Sequence, residues 1–198
     1  MPYVGRGGEK MAWALAWSGL DPAGWVCADL GSHVGGFVDA LLQAGAARVY
    51  AVDTCYGTFA WTLRNDPRVV LRERTNALHV ELPEKVALVT CDVGWTRQRK
   101  VLPKAIGLLG AGAFVLSLLK PQYEAEADEM EKGKGRVRDG ALERIVGDAR
   151  LAAEAFGFPV KGPAKTPFLG GKGGNPEYFI LIGPTAPTPG AAPPGWNG

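Results

Sequence analysis

The chain is poor in the residues that usually build metal centres and nucleophilic triads. Its 198 residues include two histidines, His33 and His79, and three cysteines, Cys27, Cys55 and Cys91. An odd cysteine count without C-x-x-C spacing indicates neither a disulfide framework nor a zinc site. Cys27 and Cys91 stand in apolar, strand-like contexts, where a reduced thiol packs as a small hydrophobe. Two histidines leave little for a Ser-His-Asp triad or a metal cluster. Charge of one sign is missing too. A formal net charge of +2 excludes a polybasic protein and allows only a local basic face. The charged, glycine-containing start, Met1 to Lys10, has no apolar stretch of the kind a secretory signal needs. The run Ala105 to Leu119 has 15 residues without a charge but three glycines. It is too short to span a bilayer and reads as helix end, turn and buried strand. With 46% hydrophobic and 21% charged residues, a soluble, cytoplasmic chain with one packed domain is expected.

What the chain does have is a glycine-rich turn. Asp29-Leu30-Gly31-Ser32-His33 ends an apolar run that begins at Trp25, and Val34-Gly35-Gly36-Phe37 opens an amphipathic segment. Glycines between a strand and a helix let the backbone approach a ligand closely. Seventeen residues past Gly36, a second apolar run ends on Asp53, where an acid can accept hydrogen bonds from a ribose diol. A nicotinamide dinucleotide site wants G-x-G-x-x-G, whereas the spacing here is Gly31-x-x-x-Gly35-Gly36 with Asp29 just before the turn. That acid suits a cationic cofactor without phosphate, and S-adenosyl-L-methionine fits both features. A dinucleotide, or a turn that holds no ligand, stays open at this point.

Apolar strand-like runs at 25–30, 48–53, 69–72, 86–92, 113–119, 158–161 and 178–182 alternate with helical patterns. The helices are expected at 8–20, 37–44, 58–65, 97–109 and 139–156. Such alternation predicts an α/β fold, a mostly parallel seven-stranded sheet with helices on both faces and ligands at the carboxyl ends of the strands. The domain is expected over 1–183. The stretch 184–198, rich in Pro, Gly, Ala and Thr, reads as a disordered tail. Residues 122–138, first acidic and then basic, read either as a solvated loop or as a flap beside the site.

Four charged residues fall on or near the edge where ligands bind. Asp92 and Lys120 end strand-like runs, Glu177 stands at the start of the last one, and Lys10 lies on the first helix behind Arg6-Gly7-Gly8. Two lysines alternating with two carboxylates suit proton transfer without metal or histidine. The acids orient the ammonium groups, and a neighbouring lysine is expected to lower the pKa of the one that takes a hydroxyl proton.

The sequence resembles the FtsJ-type ribose 2′-O-methyltransferases, in particular the TlyA, or haemolysin A-like, rRNA methyltransferase branch. The matching segments are Tyr3-Val4-x-Arg6-Gly7-Gly8-Glu9-Lys10, Asp29-Leu30-Gly31-Ser32-x-x-Gly35-Gly36-Phe37, Tyr50-Ala51-Val52-Asp53, Glu73-Arg74-Thr75-Asn76-Ala77, Asp92-Val93, Leu119-Lys120-Pro121-Gln122, Val137-Arg138-Asp139 and Gly173-x-x-x-Glu177-Tyr178. The resemblance implies a Rossmann-like class I methyltransferase fold and a catalytic tetrad of Lys10, Asp92, Lys120 and Glu177, with Lys120 nearest the reacting hydroxyl. It implies that Asp29, Gly31, Ser32, Gly35, Gly36, Phe37, Asp53, Asn76 and Asp92 line the cofactor site. Structured RNA, in particular ribosomal RNA, is the implied partner. Members usually carry an N-terminal S4 RNA-binding domain, which this sequence does not contain, so a separate RNA-binding partner in its place is a further expectation. Gly94-Trp95 replaces the usual Ser-Phe after Asp-Val, and His33-Val34 replaces small polar residues in the turn.

RNA contacts can be sought at Arg97, Arg99, Lys100 and Lys104, at Lys132 to Arg138 and at Lys161 to Lys172, with Trp95 and Tyr123 as stacking surfaces. The rival to catalysis is a cofactor-fold protein that binds RNA or a protein partner without turnover.

Overall fold

Strands whose residues are apolar without alternation belong in the middle of a sheet covered on both faces. The first and fourth strands of the computed structural model, which describes residues 2–170 and 174–184, are buried at every position. Along the chain the elements are α1 (Arg6–Ser18), β1 (Val26–Leu30), α2 (Gly36–Gln43), β2 (Arg48–Val52), α3 (Trp61–Arg64), β3 (Val69–Arg72) and β4 (Val86–Cys91). There follow α4 (Gln98–Leu108), β5 (Leu109–Leu119), α5 (Pro121–Glu124), α6 (Asp139–Glu154), β6 (Val160–Leu169) and β7 (Pro176–Ile182).

The sheet has seven strands in the order β3-β2-β1-β4-β5-β7-β6. The pairings from β3 to β5 are parallel, and β7 is antiparallel to both β5 and β6. Strand order reverses between β1 and β4, which opens a crevice at their carboxyl ends. Because β7 runs backwards, its first residues reach that same edge.

Each face has its own core. On one side Met11 and Leu15 of α1 and Phe37 and Leu41 of α2 pack with Phe114 and Phe179. On the other, Val101 and Leu102 of α4 and Ala149 and Ala153 of α6 pack with Leu30, Val89 and Ile180. Burial, with Asp29 nearby, pushes the Cys27 and Cys91 thiols up. No helix among the described residues is long and apolar enough to cross a membrane.

Several boundaries differ from the sequence reading. The helix expected at 58–65 shrinks to Trp61–Arg64 because Phe59 turns into the core ahead of it. The strand expected at 158–161 runs to Leu169, through Pro163 and Pro167. Its prolines and lysines hide it from a periodicity test, yet they are tolerated because β6 is an edge strand bonded only to β7. β5 begins at Leu109 rather than at 113, with a register shift against β4 between Val86 and Leu88. Residues 122–138 are not a free loop. They hold a bridge between Met130 and Val137, and the Val137 amide donates to Asn175 Oδ1 at 2.9 Å, just before β7. The stretch 185–198, Lys172 and Gly173 lie outside the described residues.

Phe179 is fully buried against Trp13 and Phe37. Phe179→Ala is therefore expected to cost about 3–5 kcal/mol in urea unfolding, whereas truncation of the exposed Trp61 should leave the midpoint almost unchanged.

Candidate active site

The glycine turn folds back over the ends of β1 and β2. The amides of Gly31 and Ser32 both donate to the Val52 carbonyl, at 2.8 and 3.1 Å, and the Gly35 amide donates to the Ser32 carbonyl at 2.7 Å. Gly31 has φ +91°, and a Cβ there would stand 2.5 Å from the Asp92 carbonyl oxygen. That position admits glycine alone. The Ser32 hydroxyl donates to the Asp29 carbonyl at 2.9 Å, closing the turn.

Two joined cavities follow. One, of about 290 Å³, is lined by Arg6, Lys10, Asp29, Gly31, Ser32, Gly36 and Phe37, among others. The other, of about 520 Å³, is lined by Asp53, Asn76, Leu78, Val93, Trp95 and Lys120, among others. Gly31, His33 and Asp92 border both. Of the residues expected to hold a cofactor, Gly35 lines neither cavity; it is the N-cap of α2, at φ +98°.

Asp29 is fully buried at the end of β1. Thr90 donates to its Oδ1 at 2.7 Å, while Oδ2 has no partner among the described residues. Burial raises its pKa from 3.8 to about 7, against the Thr90 hydrogen bond and with help from the charges of Asp92 and Asp53. A buried carboxylate oxygen without a donor, beside an open cavity, fits a cationic group. Asp53, at the tip of β2, is fixed by two backbone amides: His33 donates to Oδ2 and Cys55 to Oδ1, both at 2.7 Å. Asn76 accepts from the Leu78 amide at 2.9 Å, which holds its loop against the second cavity. The residues present therefore fit a ligand with a cationic end at Asp29 and a nucleoside end toward Asp53.

The four residues of the expected tetrad come together in two ion pairs. Lys10 of α1 pairs with Glu177, and Lys120, just past β5, pairs with Asp92, just past β4. Glu177 is the second residue of β7 rather than a residue before it, and is 2% exposed. Its position depends on the antiparallel run of β7. Burial opposes the charge of Lys120, but Asp92, Glu177 and Tyr123 together outweigh it and hold its pKa above the ordinary lysine value. The neighbouring lysine was expected to lower that pKa. In the free protein the carboxylates dominate instead.

The basic clusters divide. Arg97 pairs with Glu126 at 2.8 Å, and Arg136 pairs with Asp139 at 3.1 Å. Lys161 lies at the opposite edge of the sheet, where its ammonium donates to the Trp17 carbonyl at 2.8 Å. Two features of the site escape sequence reasoning. Arg6 reaches the first cavity, and Trp95 takes φ +58°, a left-handed conformation rare for a bulky residue. Trp95 is 90% exposed, with its ring centroid 5.2 Å from that of Tyr123.

The raised pKa of Asp29 has a testable sign. An acid that titrates higher in the folded state contributes its full stability only below its ordinary pKa, and loses it as pH rises through about 7. Asp29→Asn removes that loss. In thermal unfolding of the ligand-free chain, the variant should gain several degrees at pH 8 and almost nothing at pH 4. An equal change at both pH values would contradict this account.

Comparison with known proteins agrees with this geometry. Residues 3–183 match the family model for FtsJ-like methyltransferases. The chain is 40% identical over 186 residues to the 16S/23S rRNA (cytidine-2′-O)-methyltransferase TlyA of Mycobacterium tuberculosis, across 91% of this chain and 68% of that one. It is 36% identical to Hemolysin A of Brachyspira hyodysenteriae, across 89% and 75% of the two chains. A solved structure from Lactococcus lactis, provisionally named a hemolysin, superposes with a TM-score of 0.85 at 34% identity, covering 92% of this chain and 88% of its own. More distant structures share the fold alone, among them the N-methyltransferase NodS of Bradyrhizobium japonicum, with a TM-score of 0.59 at 12% identity. The sheet is thus that of the Rossmann-like methyltransferases, and the chain belongs to the FtsJ-like methyltransferase family.

Proposed function

We propose that this chain is an S-adenosyl-L-methionine-dependent methyltransferase acting on a ribose 2′-hydroxyl of structured RNA, in particular cytidine in ribosomal RNA. The observation that carries the reading is the pair of lysine–carboxylate contacts, Lys10–Glu177 and Lys120–Asp92, beside the joined cavities. The 40% identical relative from Mycobacterium tuberculosis, named for that reaction, supports the substrate. The proposed ribosomal RNA substrate supports a cytoplasmic location. Neither the fold nor the comparisons favour a separate RNA-binding partner.

When bound, the cofactor supplies an electrophilic methyl group on a sulfonium. The protein holds it at both ends, with Asp29 toward the cationic end and Asp53 toward the ribose. Lys120 lines the second cavity and is paired with Asp92, which borders both; it directs its Nζ at the RNA hydroxyl and takes up that proton. To do so it must first lose its own. Asp92 and Glu177 hold the ammonium in place but also stabilise it, so deprotonation needs either high pH or a second positive charge nearby. A bound sulfonium cofactor would supply such a charge. Lys10, tied to Glu177, keeps that carboxylate from binding Lys120 outright. Partial burial of the pairs strengthens each interaction, so orientation and electrostatics supply the acceleration.

Lys120→Ala is expected to cut methyl transfer about 10³-fold, while calorimetry still shows cofactor binding. Lys120→Arg keeps the charge but cannot give up its proton, and should be equally inactive. In the wild type, the single-turnover rate should rise about tenfold per pH unit from neutral upward, because the base is the deprotonated amine. A flat profile, or full activity in Lys120→Ala, would remove Lys120 from this role.

A further inference from the structure

The buried face of α4 consists of Gln98, Val101, Leu102, Ala105 and Leu108. Helical spacing puts an apolar residue at each of these positions, and Gln98 breaks the pattern. Ser117 does the same in β5, whose other buried positions are all apolar. The two exceptions meet. The Ser117 hydroxyl donates to Gln98 Oε1 at 2.7 Å, and Gln98 Nε2 donates to the Leu118 carbonyl at 3.2 Å. An amide and a hydroxyl buried in an apolar layer cost free energy unless they are paired, and an apolar pair of the same shape would pack there without that cost. What the polar pair adds is a fixed geometry between two segments of chain.

Those segments carry the Lys120–Asp92 pair. β4 and β5 stay in register as far as Cys91 and Ser117. Beyond that point β4 gives way to the turn at Asp92, while β5 continues to Leu119. On its β7 side β5 remains paired to the end, with Leu119 opposite Tyr178. On its β4 side the chain just before Lys120 has no strand beside it, and the Gln98 side chain takes that place. A second tie starts from the same residue. The Gln98 backbone amide donates to Glu124 Oε1 at 2.6 Å. α4 has no side-chain cap at Arg97, so Glu124 at the end of α5 satisfies one of its first amides from outside the helix. The Tyr123 amide donates to the Lys120 carbonyl at 2.9 Å, which joins α5 to the lysine. Gln98 thus holds the chain on both sides of Lys120, and it lines neither cavity itself.

We propose that Gln98 is a positioning residue for the reaction: through Ser117 and Leu118 before Lys120, and through Glu124 after it, Gln98 sets where the lysine stands against Asp92. The inference rests on the reading that Lys120 takes the hydroxyl proton, and it adds the start of α4 to the parts of the fold that serve that step. A lysine side chain is long and flexible, so Asp92 can aim the ammonium only if the two backbone segments keep a fixed register. The pairing of β4 with β5 ends before either residue, and Gln98 supplies the missing contact. The charged and titratable groups around Lys120 are Asp92, Glu177 and Tyr123, with Lys10 held by Glu177. None of them bonds to the Gln98 side chain, so its loss changes their distances from Lys120 and not their number.

The test uses the double variant Gln98→Met/Ser117→Ala, which removes both buried polar partners at nearly constant shape and so leaves the fold largely intact. Three quantities are read: calorimetric affinity for S-adenosyl-L-methionine, kcat and KM for ribosomal RNA, and the titration of the Lys120 ammonium by NMR of isotope-labelled lysine. Cofactor affinity and KM should stay within about threefold of the wild type, while kcat falls about tenfold to a hundredfold. The Lys120 ammonium, held above its ordinary value in the wild type, should titrate lower, back toward about 10.4. That shift alone would leave more of the lysine ready to take a proton, so a fall in kcat beside it reports lost placement rather than lost basicity. A merely structural role predicts neither the split between kcat and KM nor the shift. An unchanged titration, or a kcat within about twofold of the wild type, would overturn the proposal. Should the double variant fail to fold, Gln98→Asn keeps the amide but is too short to span Ser117 and the Leu118 carbonyl, and the same outcomes decide. If the wild type binds cofactor but transfers no methyl to ribosomal RNA, the proposed function fails, and the titration alone then decides whether Gln98 places Lys120.

Discussion

The contact between the end of β1 and the end of β4 governs the rest of the site. The Asp92 amide donates to the Leu30 carbonyl at 2.8 Å, and Gly31 passes so close to the Asp92 carbonyl that no side chain fits between them. This contact lies where the strand order reverses, so the chains leaving β1 and β4 diverge and open a cavity on each side. It also sets Asp92 on the border between the two cavities. A residue in that position can act on a reacting centre in the middle of a ligand that spans both.

Around this contact the protein balances charge in pairs. Two half-buried lysines without partners would be costly, as would the buried Glu177 and the half-buried Asp92. Pairing Lys10 with Glu177 and Lys120 with Asp92 resolves that, but at the expense of basicity. The same carboxylates that offset the partial burial of Lys120 hold its proton. Asp29 is the counterpart. Burial pushes its pKa up to about 7, and one of its oxygens lacks a donor in the free protein. A positive charge brought close to either group would favour the ionised form of Asp29 and the neutral form of Lys120.

Much of this was legible in the sequence because it is carried by local pattern. The run from Trp25 to Leu30, the turn Gly31 to Gly36 and the acid at Asp53 stand in the order that a nucleotide-binding crossover demands. Asp92 and Lys120 follow apolar strands and so had to reach the carboxyl edge. Glu177 was legible only on condition that its strand ran antiparallel, since pairing direction is a tertiary property. β6 was underestimated because an edge strand need not alternate and tolerates proline. The sign of the Lys120 shift was misjudged for a related reason. Sequence proximity says which charges gather, but the sum depends on which of them lies nearest. The place of Arg6 on the first cavity was hidden because it follows from the meeting of two helix ends, which no spacing announces.

The two halves of the site are built by different means. The half around Asp53 rests on strand ends and turns, where Asp53 is held by the amides of His33 and Cys55. The half around Arg6 and Lys10 rests on the packing of α1 against α2. There the Val4 amide donates to Asp39 Oδ2 at 2.8 Å, Gln43 donates to Asp39 Oδ1 at 2.9 Å, and Tyr3 packs so tightly over Gly8 that a Cβ would overlap it. A strand end is fixed by hydrogen bonds on both sides, whereas a helix start is fixed by side-chain packing and by whatever satisfies its amides. The half around Asp53 is therefore preorganised by the sheet, whereas the half around Arg6 and Lys10 depends on how closely α1 and α2 pack.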